Sequence, residues 1–143
     1  MARFYKNMEI YNLGYNFVFE IYRITKKFPE IENNNITWQM RRAAVSIPIN
    51  IVEGATRHSE KAFLNFITYS YGSAKELEVL LSLSKDLGYI SEKEYSVVSK
   101  KLDSKVEAVH QYIVGKIAKK YEFVSDFFQD IVTGDMTLQK AGI

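Results

Sequence analysis

The sequence contains no cysteine, which excludes disulfides, a thiol nucleophile and thiolate metal sites together and leaves a cytoplasmic protein as the simplest expectation. Proline and glycine are scarce, two and seven in 143 residues. A sandwich of short strands joined by tight turns needs more of both, so long helices with short links are expected. No apolar run reaches the roughly 18 residues that span a bilayer, and MARFYKNMEI lacks the apolar core and cleavage site of a secretory signal. The expectation is a soluble chain with no membrane partner.

Catalytic parts are missing as well. The two histidines, His58 and His110, have no Gly-x-Ser-x-Gly elbow to serve, and no phosphate-cradling glycine loop occurs. Glu107 and His110 spell one Glu-x-x-His motif, but a ferritin-like di-iron site needs a second such motif and two further glutamates. His58 has no glutamate three positions before it. Glu107 and His110 therefore read as a solvated pair at adjacent-turn spacing. Glu76 and Glu78 lie two apart and point to different faces of a helix. The chain reads as a non-enzyme with no catalytic residue, no cofactor and no metal.

What is present is helical periodicity. Nearly half the residues are hydrophobic and a quarter are charged, a globular balance. Ile10, Leu13, Phe17, Ile21 and Ile24 predict a first helix over about 8–27, with a second apolar line through Tyr11, Tyr15, Val18 and Tyr22. That tyrosine-rich line is a candidate subunit interface. Phe28-Pro29 stops the helix. A second helix is expected over 37–52 with Thr37 as N-cap, and a third from Ser59 with a seam through Phe63, Ile67, Ser70, Ala74, Leu77 and Leu81. Phe66, Tyr69, Leu80, Leu83 and Leu87 form a second line beside that seam.

Leu87-Gly88-Tyr89-Ile90-Ser91 closes a tight helical hairpin, with Gly88 as left-handed cap and Ser91 and Glu94 as a capping box. Val97, Val98, Leu102, Val106, Val109, Ile113 and Ile117 carry the fourth helix. The fold class is all-α, an antiparallel up-down four-helix bundle over residues 1–120 with a C-terminal extension over 121–143. In that extension Val124, Phe127, Phe128 and Ile131 either continue the fourth helix or form a short fifth, with fraying beyond Gly134.

In the second helix the polar residues fall in one line: Gln39, Arg42, Ser46, Asn50, Glu53, then Arg57. Pro48 removes a backbone bond to Ala44 and should bend the helix, leaving a carbonyl for Ser46 or a neighbour to accommodate. One reading is structural, with Ser46, Asn50 and Glu53 networked inside the bundle and Glu53 paired to Arg42 or Arg57. The other is a polar groove with Arg41, Arg42, Arg57 and Lys61 supplying positive charge at one end. Net charge is +2, but residues 1–120 carry +5 and residues 121–143 carry −3. A basic body with an acidic tail is compatible with nucleic-acid binding and with ordinary solubility.

The run from Phe28 to Ser91 resembles the four-helix-bundle proteins encoded in intervening sequences of bacterial 23S ribosomal RNA genes. The resemblance rests on Phe28-Pro29, Gln39, Arg41-Arg42-Ala43-Ala44, Ser46-Ile47-Pro48, Asn50-Ile51, Glu53-Gly54, Ser73, Glu76-Leu77 and Leu87-Gly88-Tyr89, and covers roughly residues 8–117. Related proteins in the same superfamily include the accessory variability determinants of diversity-generating retroelements. The resemblance implies a homopentameric, barrel-like assembly with a basic surface that binds nucleic acid and a partner reverse transcriptase. The resulting expectation is an oligomeric accessory protein binding RNA or DNA non-specifically through Arg41, Arg42, Arg57 and Lys61. The alternative is a homo-oligomeric scaffold without nucleic-acid affinity.

Overall fold

The computed structural model describes residues 4–133, with side chains for residues 4–119. Among the described residues there are four α-helices: α1 (Glu9–Thr25), α2 (Ile36–Ala55), α3 (Glu60–Asp86) and α4 (Glu92–Thr133). The chain divides into two compact units, Met1–His110 and Gln111–Ile143. The first holds the bundle; in the second, Lys116 Nζ lies 5.6 Å from the ring centre of Tyr112. Because α4 is uninterrupted to Thr133, the tail aromatics belong to the fourth helix and not to a fifth. The fraying expected beyond Gly134 lies outside the described residues.

Bundle order follows from the contacts. Arg41 of α2 bonds Thr25 of α1, α2 meets α3 through Ser46 and Ser73, and α3 meets α4 through Ser82 and Tyr95. Lys101 of α4 pairs with Glu20 of α1, and Glu94 of α4 with Arg23 of α1 and with Lys27 just beyond it, closing the four-helix ring. Contacts that rise along one helix fall along the next, as Ser46–Ser73 and Met40–Ser84 do, so α2 and α3 run antiparallel. The core holds the expected Phe17, Ile21, Ile24, Phe63, Ile67, Leu77, Leu81, Val98 and Leu102 together with Met40 and Ile51 of α2, each 2 % exposed or less, whereas Val97 and Ile117 of the expected fourth-helix line are exposed. Of the second line expected on α3, only Leu80 is buried; Tyr69, Leu83 and Leu87 are exposed.

The junctions explain the odd residues. At Gly54 an added Cβ would stand 2.9 Å from Phe66 Cβ and 3.1 Å from the Phe63 carbonyl oxygen, so the Glu53-Gly54 pair marks where α3 crosses closely over the end of α2. Gly88 has φ +77°, and Tyr89 N–H donates back to Ser84 O at 2.8 Å, the expected left-handed cap. Ser59 caps α3 by accepting from Ala62 N–H at 3.1 Å. Ser91 accepts likewise from Glu94 N–H, and the Glu94 carboxylate takes a backbone hydrogen bond from Ser91 while pairing with Arg23 of α1 and with Lys27 just beyond that helix. Both halves of the expected capping box are therefore present.

The start of α2 departs from expectation. Thr37 lies inside the helix, buried, and its Oγ1 has no hydrogen-bond partner. Glu32 does the capping: Oε2 accepts from Ile36 N–H at 3.3 Å and from Asn35 Nδ2 at 3.0 Å, while Tyr89 O–H donates to Oε1 at 2.7 Å. A hydroxyl cap lost to a carboxylate five residues upstream is invisible to local patterning, because Tyr89 holds that carboxylate from the α3–α4 hairpin. The Tyr89 hydrogen bond, then those of Ile36 and Asn35, hold the Glu32 carboxyl below its ordinary range. The same bond pushes the Tyr89 phenol up.

Candidate nucleic-acid interface

Pro48 sits within α2 without ending it. Nearby side chains bond carbonyls other than the one it leaves without a donor: Ser46 Oγ lies 2.8 Å from Ala43 O, Asn50 Nδ2 donates to Ser46 O at 2.8 Å, and Ser70 Oγ donates to Ile47 O at 3.0 Å. The polar stripe is thus not one network. Gln39 and Glu53 are exposed, Ser46 donates to Ser73 Oγ at 2.5 Å across the α2–α3 seam, and Asn50 serves its own helix. Glu53 pairs with Arg57 at 3.1 Å on the surface, which makes Arg57 rather than Arg42 its partner.

The four cations expected to act together are spread along the bundle. Arg41 and Arg42 lie in the first half of α2, while Arg57 follows its end and Lys61 opens α3. At 1.5 Å of rise per residue, Arg41 and Arg57 are separated by about 24 Å. Arg57 also stacks on Phe66, 4.8 Å from the ring centre, and its charge is matched by Glu53. Lys61 is exposed.

Arg41 and Arg42 stand in a different setting, a cleft of about 470 Å³ lined by Tyr22, Asn33, Thr37, Trp38, Arg41, Arg42 and Val45. Arg41 Cζ is 4.7 Å from the Tyr22 ring centre, and its Nε donates to Thr25 Oγ1 at 2.9 Å. Thr25 in turn donates to Ile21 O at 2.7 Å. This fixes the guanidinium through Nε and leaves its two terminal nitrogens without a hydrogen-bond partner among the described residues. Arg42 Cζ is 5.6 Å from the Trp38 ring centre, the adjacent-turn spacing of residues four apart.

Charge pairing separates these two from the other described arginines, Arg23 and Arg57. Arg23, Lys27, Arg57, Lys75, Lys85 and Lys101 each have a carboxylate oxygen within 4.0 Å. Arg41 and Arg42 have none among the described residues. Beside them Trp38 is 54 % and Tyr22 42 % exposed. Of the arginines' ring partners, Tyr22 was expected on the tyrosine-rich line of α1, and Trp38 was not singled out in the sequence. Trp38 carried a usable signal, an aromatic one turn before an arginine; the pairing of Tyr22 with Arg41 carried none, since it depends on how α1 meets α2.

A second, apolar groove lies further along the same two helices, about 450 Å³, walled by Tyr11, Tyr15, Val18, Phe19, Val45 and Ile49 among others. Tyr5, Tyr11, Tyr15 and Phe19 form a ladder of rings with centroids 5.0, 5.9 and 5.6 Å apart. Of the expected tyrosine line, Tyr11 and Tyr15 join this ladder, which continues through Phe19, while Tyr22 stands beside Arg41 instead. For the remaining chemistry, His110 packs its ring 5.9 Å from that of Tyr71, His58 is exposed, and no group of three or more metal-ligating side chains occurs among the described residues. Among them, too, no helix is long and apolar enough to cross a membrane.

Fold and site together define an all-α, four-helix bundle carrying an unpaired arginine–aromatic cleft. Residues 6–111 match the model of the 23S rRNA-intervening sequence protein family, and the chain belongs to that family. Among solved structures it is similar to a protein of unknown function from the S23 ribosomal protein family of Bacteroides thetaiotaomicron. That likeness has 21% identity and a TM-score of 0.66, and covers 73% of this chain and 97% of the other. At that identity the likeness bears on the fold alone. No curated protein matches significantly.

Proposed function

We propose that this chain is a non-enzymatic, oligomeric accessory protein that binds RNA or DNA through cationic patches on the bundle. The observation that carries the reading is the pair Arg41 and Arg42, two adjacent guanidinium groups with no carboxylate partner, standing over exposed aromatic rings. A planar guanidinium stacked on a ring keeps its donor edge free, which suits it to phosphate oxygens. Arg57, Lys61 and the other exposed lysines add to the field without forming a cluster.

One subunit carries a net charge of only +2, so a single copy binds weakly and assembly multiplies the patch. The apolar groove and ring ladder of α1 and α2 support self-association, because a contiguous exposed apolar face is unusual on a monomer. The family resemblance favours a homopentamer and a partner reverse transcriptase for the assembled particle.

The test is fluorescence anisotropy of labelled single-stranded RNA and duplex DNA over a salt series, with an Arg41→Ala/Arg42→Ala/Arg57→Ala variant in parallel. Salt-dependent binding that weakens in the variant at unchanged oligomer size is the expected result. No binding even at low salt refutes the reading and leaves a protein scaffold in its place.

A further inference from the structure

We infer that the cleft between α1 and the start of α2 takes a single unpaired nucleotide, its base stacked at Trp38 and its phosphate held by Arg41 and Arg42. This rests on the nucleic-acid reading above and narrows it to single strands. The cleft, about 470 Å³, falls within the range of small-ligand sites. It accommodates a base with its sugar and is far too small for a duplex.

Three features of the cleft point to a base and not to a simple anion. Two exposed π-faces, Tyr22 and Trp38, stand next to the unpaired guanidiniums. Phosphate alone has no use for them, whereas base-on-aromatic and base-on-guanidinium stacking is how unpaired nucleotides are held. Duplex bases hide their faces in the stack and cannot reach a ring 54 % exposed at a cleft wall. Arg41 is also preorganised, since Thr25 holds its Nε and leaves its terminal nitrogens open. Finally, Thr37 Oγ1, the only buried side-chain polar atom without a partner among the described residues, belongs to a residue lining this cleft. Native proteins rarely leave such an atom unpaired.

Position supports the same assignment. Asn33 reaches the cleft from the turn between α1 and α2, and Tyr89 fixes that turn through Glu32. The walls are thus held by hydrogen bonds from three parts of the fold, and stacking requires rigid walls.

Trp38 is the only tryptophan in the chain, so its emission reports on this cleft alone. The full-length protein is titrated with a single-stranded RNA 12-mer, the same sequence as single-stranded DNA, and the annealed duplex. Binding is followed by anisotropy of the labelled strand and stacking by Trp38 fluorescence. Single strands should quench Trp38 in step with binding, and the duplex should not. Whether the RNA or the DNA strand binds more tightly identifies the sugar. Trp38→Ala should weaken single-strand binding by about tenfold or more, while Trp38→Tyr, which keeps a stacking ring, should recover most of it. If strands bind with unchanged Trp38 emission and Trp38→Ala binds as the native protein does, the stacking inference fails while the nucleic-acid reading stands. If no strand binds in either readout, both fail.

Discussion

Replacing Thr37 by valine should stabilise the bundle. The Thr37 side chain is 3 % exposed, and its hydroxyl has no hydrogen-bond partner. An unpaired buried polar group costs about 1–3 kcal/mol. Valine keeps the branched shape, and the two residues have nearly equal helix propensity, so neither packing nor backbone preference opposes the change. The net gain should be about 1 kcal/mol or more, a rise in Tm of roughly 3–5 °C for a domain of this size. Urea unfolding followed by circular dichroism, at one fixed protein concentration because assembly contributes to stability, should give a higher midpoint at unchanged slope. A lower midpoint would refute the reasoning, because it would mean that the hydroxyl is satisfied in the folded protein and that valine removes a real bond.

Three further outcomes follow from the same geometry. Glu32, Glu20 and Glu94 are held below the ordinary carboxylate value of 4.5, chiefly by Tyr89, Lys101 and Lys27 respectively. Their contribution is full above that value and lost as pH falls through their native values, whereas Tyr89, pushed above 10.0, contributes until pH rises through its native value. The stability gap between the native chain and Tyr89→Phe should therefore hold from about pH 5 to 9 and shrink in acid; a gap that persists undiminished to pH 3 contradicts the Glu32–Tyr89 bond. Gly88→Ala forces a side chain into the left-handed region and should cost about 1–2 kcal/mol in thermal unfolding. Ile49→Asp, at a position 54 % exposed, should leave helix content intact and reduce the mass seen by light scattering; an unchanged mass removes the apolar groove from the assembly.

The helices were legible because their buried residues recur at helical spacing and their ends carry strong local signals. Phe63, Ile67, Ser70, Ala74, Leu77 and Leu81 form the buried seam that their spacing predicts, and Gly88 takes the conformation that only its lack of a side chain makes easy. What local pattern missed was set by residues far apart in the chain. Thr37 looks like a cap, yet Glu32, held by Tyr89 some 57 positions later, takes the role. Tyr69, Leu83 and Leu87 have core-like spacing but lie outside the stripe that faces the other helices. Arg41 and Arg42 stood out as charges and Tyr22 as part of a candidate interface line; their meeting in one cleft did not, because charge is read from composition while a cleft is made by the meeting of α1 and α2.

The most direct test of the central claim is the salt dependence of single-stranded RNA binding by the native protein and by Arg41→Gln/Arg42→Gln, plotted as log affinity against log salt. Each phosphate contact on a single strand contributes a slope of about −0.7. Loss of two such contacts should make the slope shallower by about 1.4 for each subunit engaged, with weaker binding at every salt concentration. Equal slopes and equal affinities in the two proteins would contradict the account, since the two unpaired guanidiniums would then not be where the nucleic acid binds.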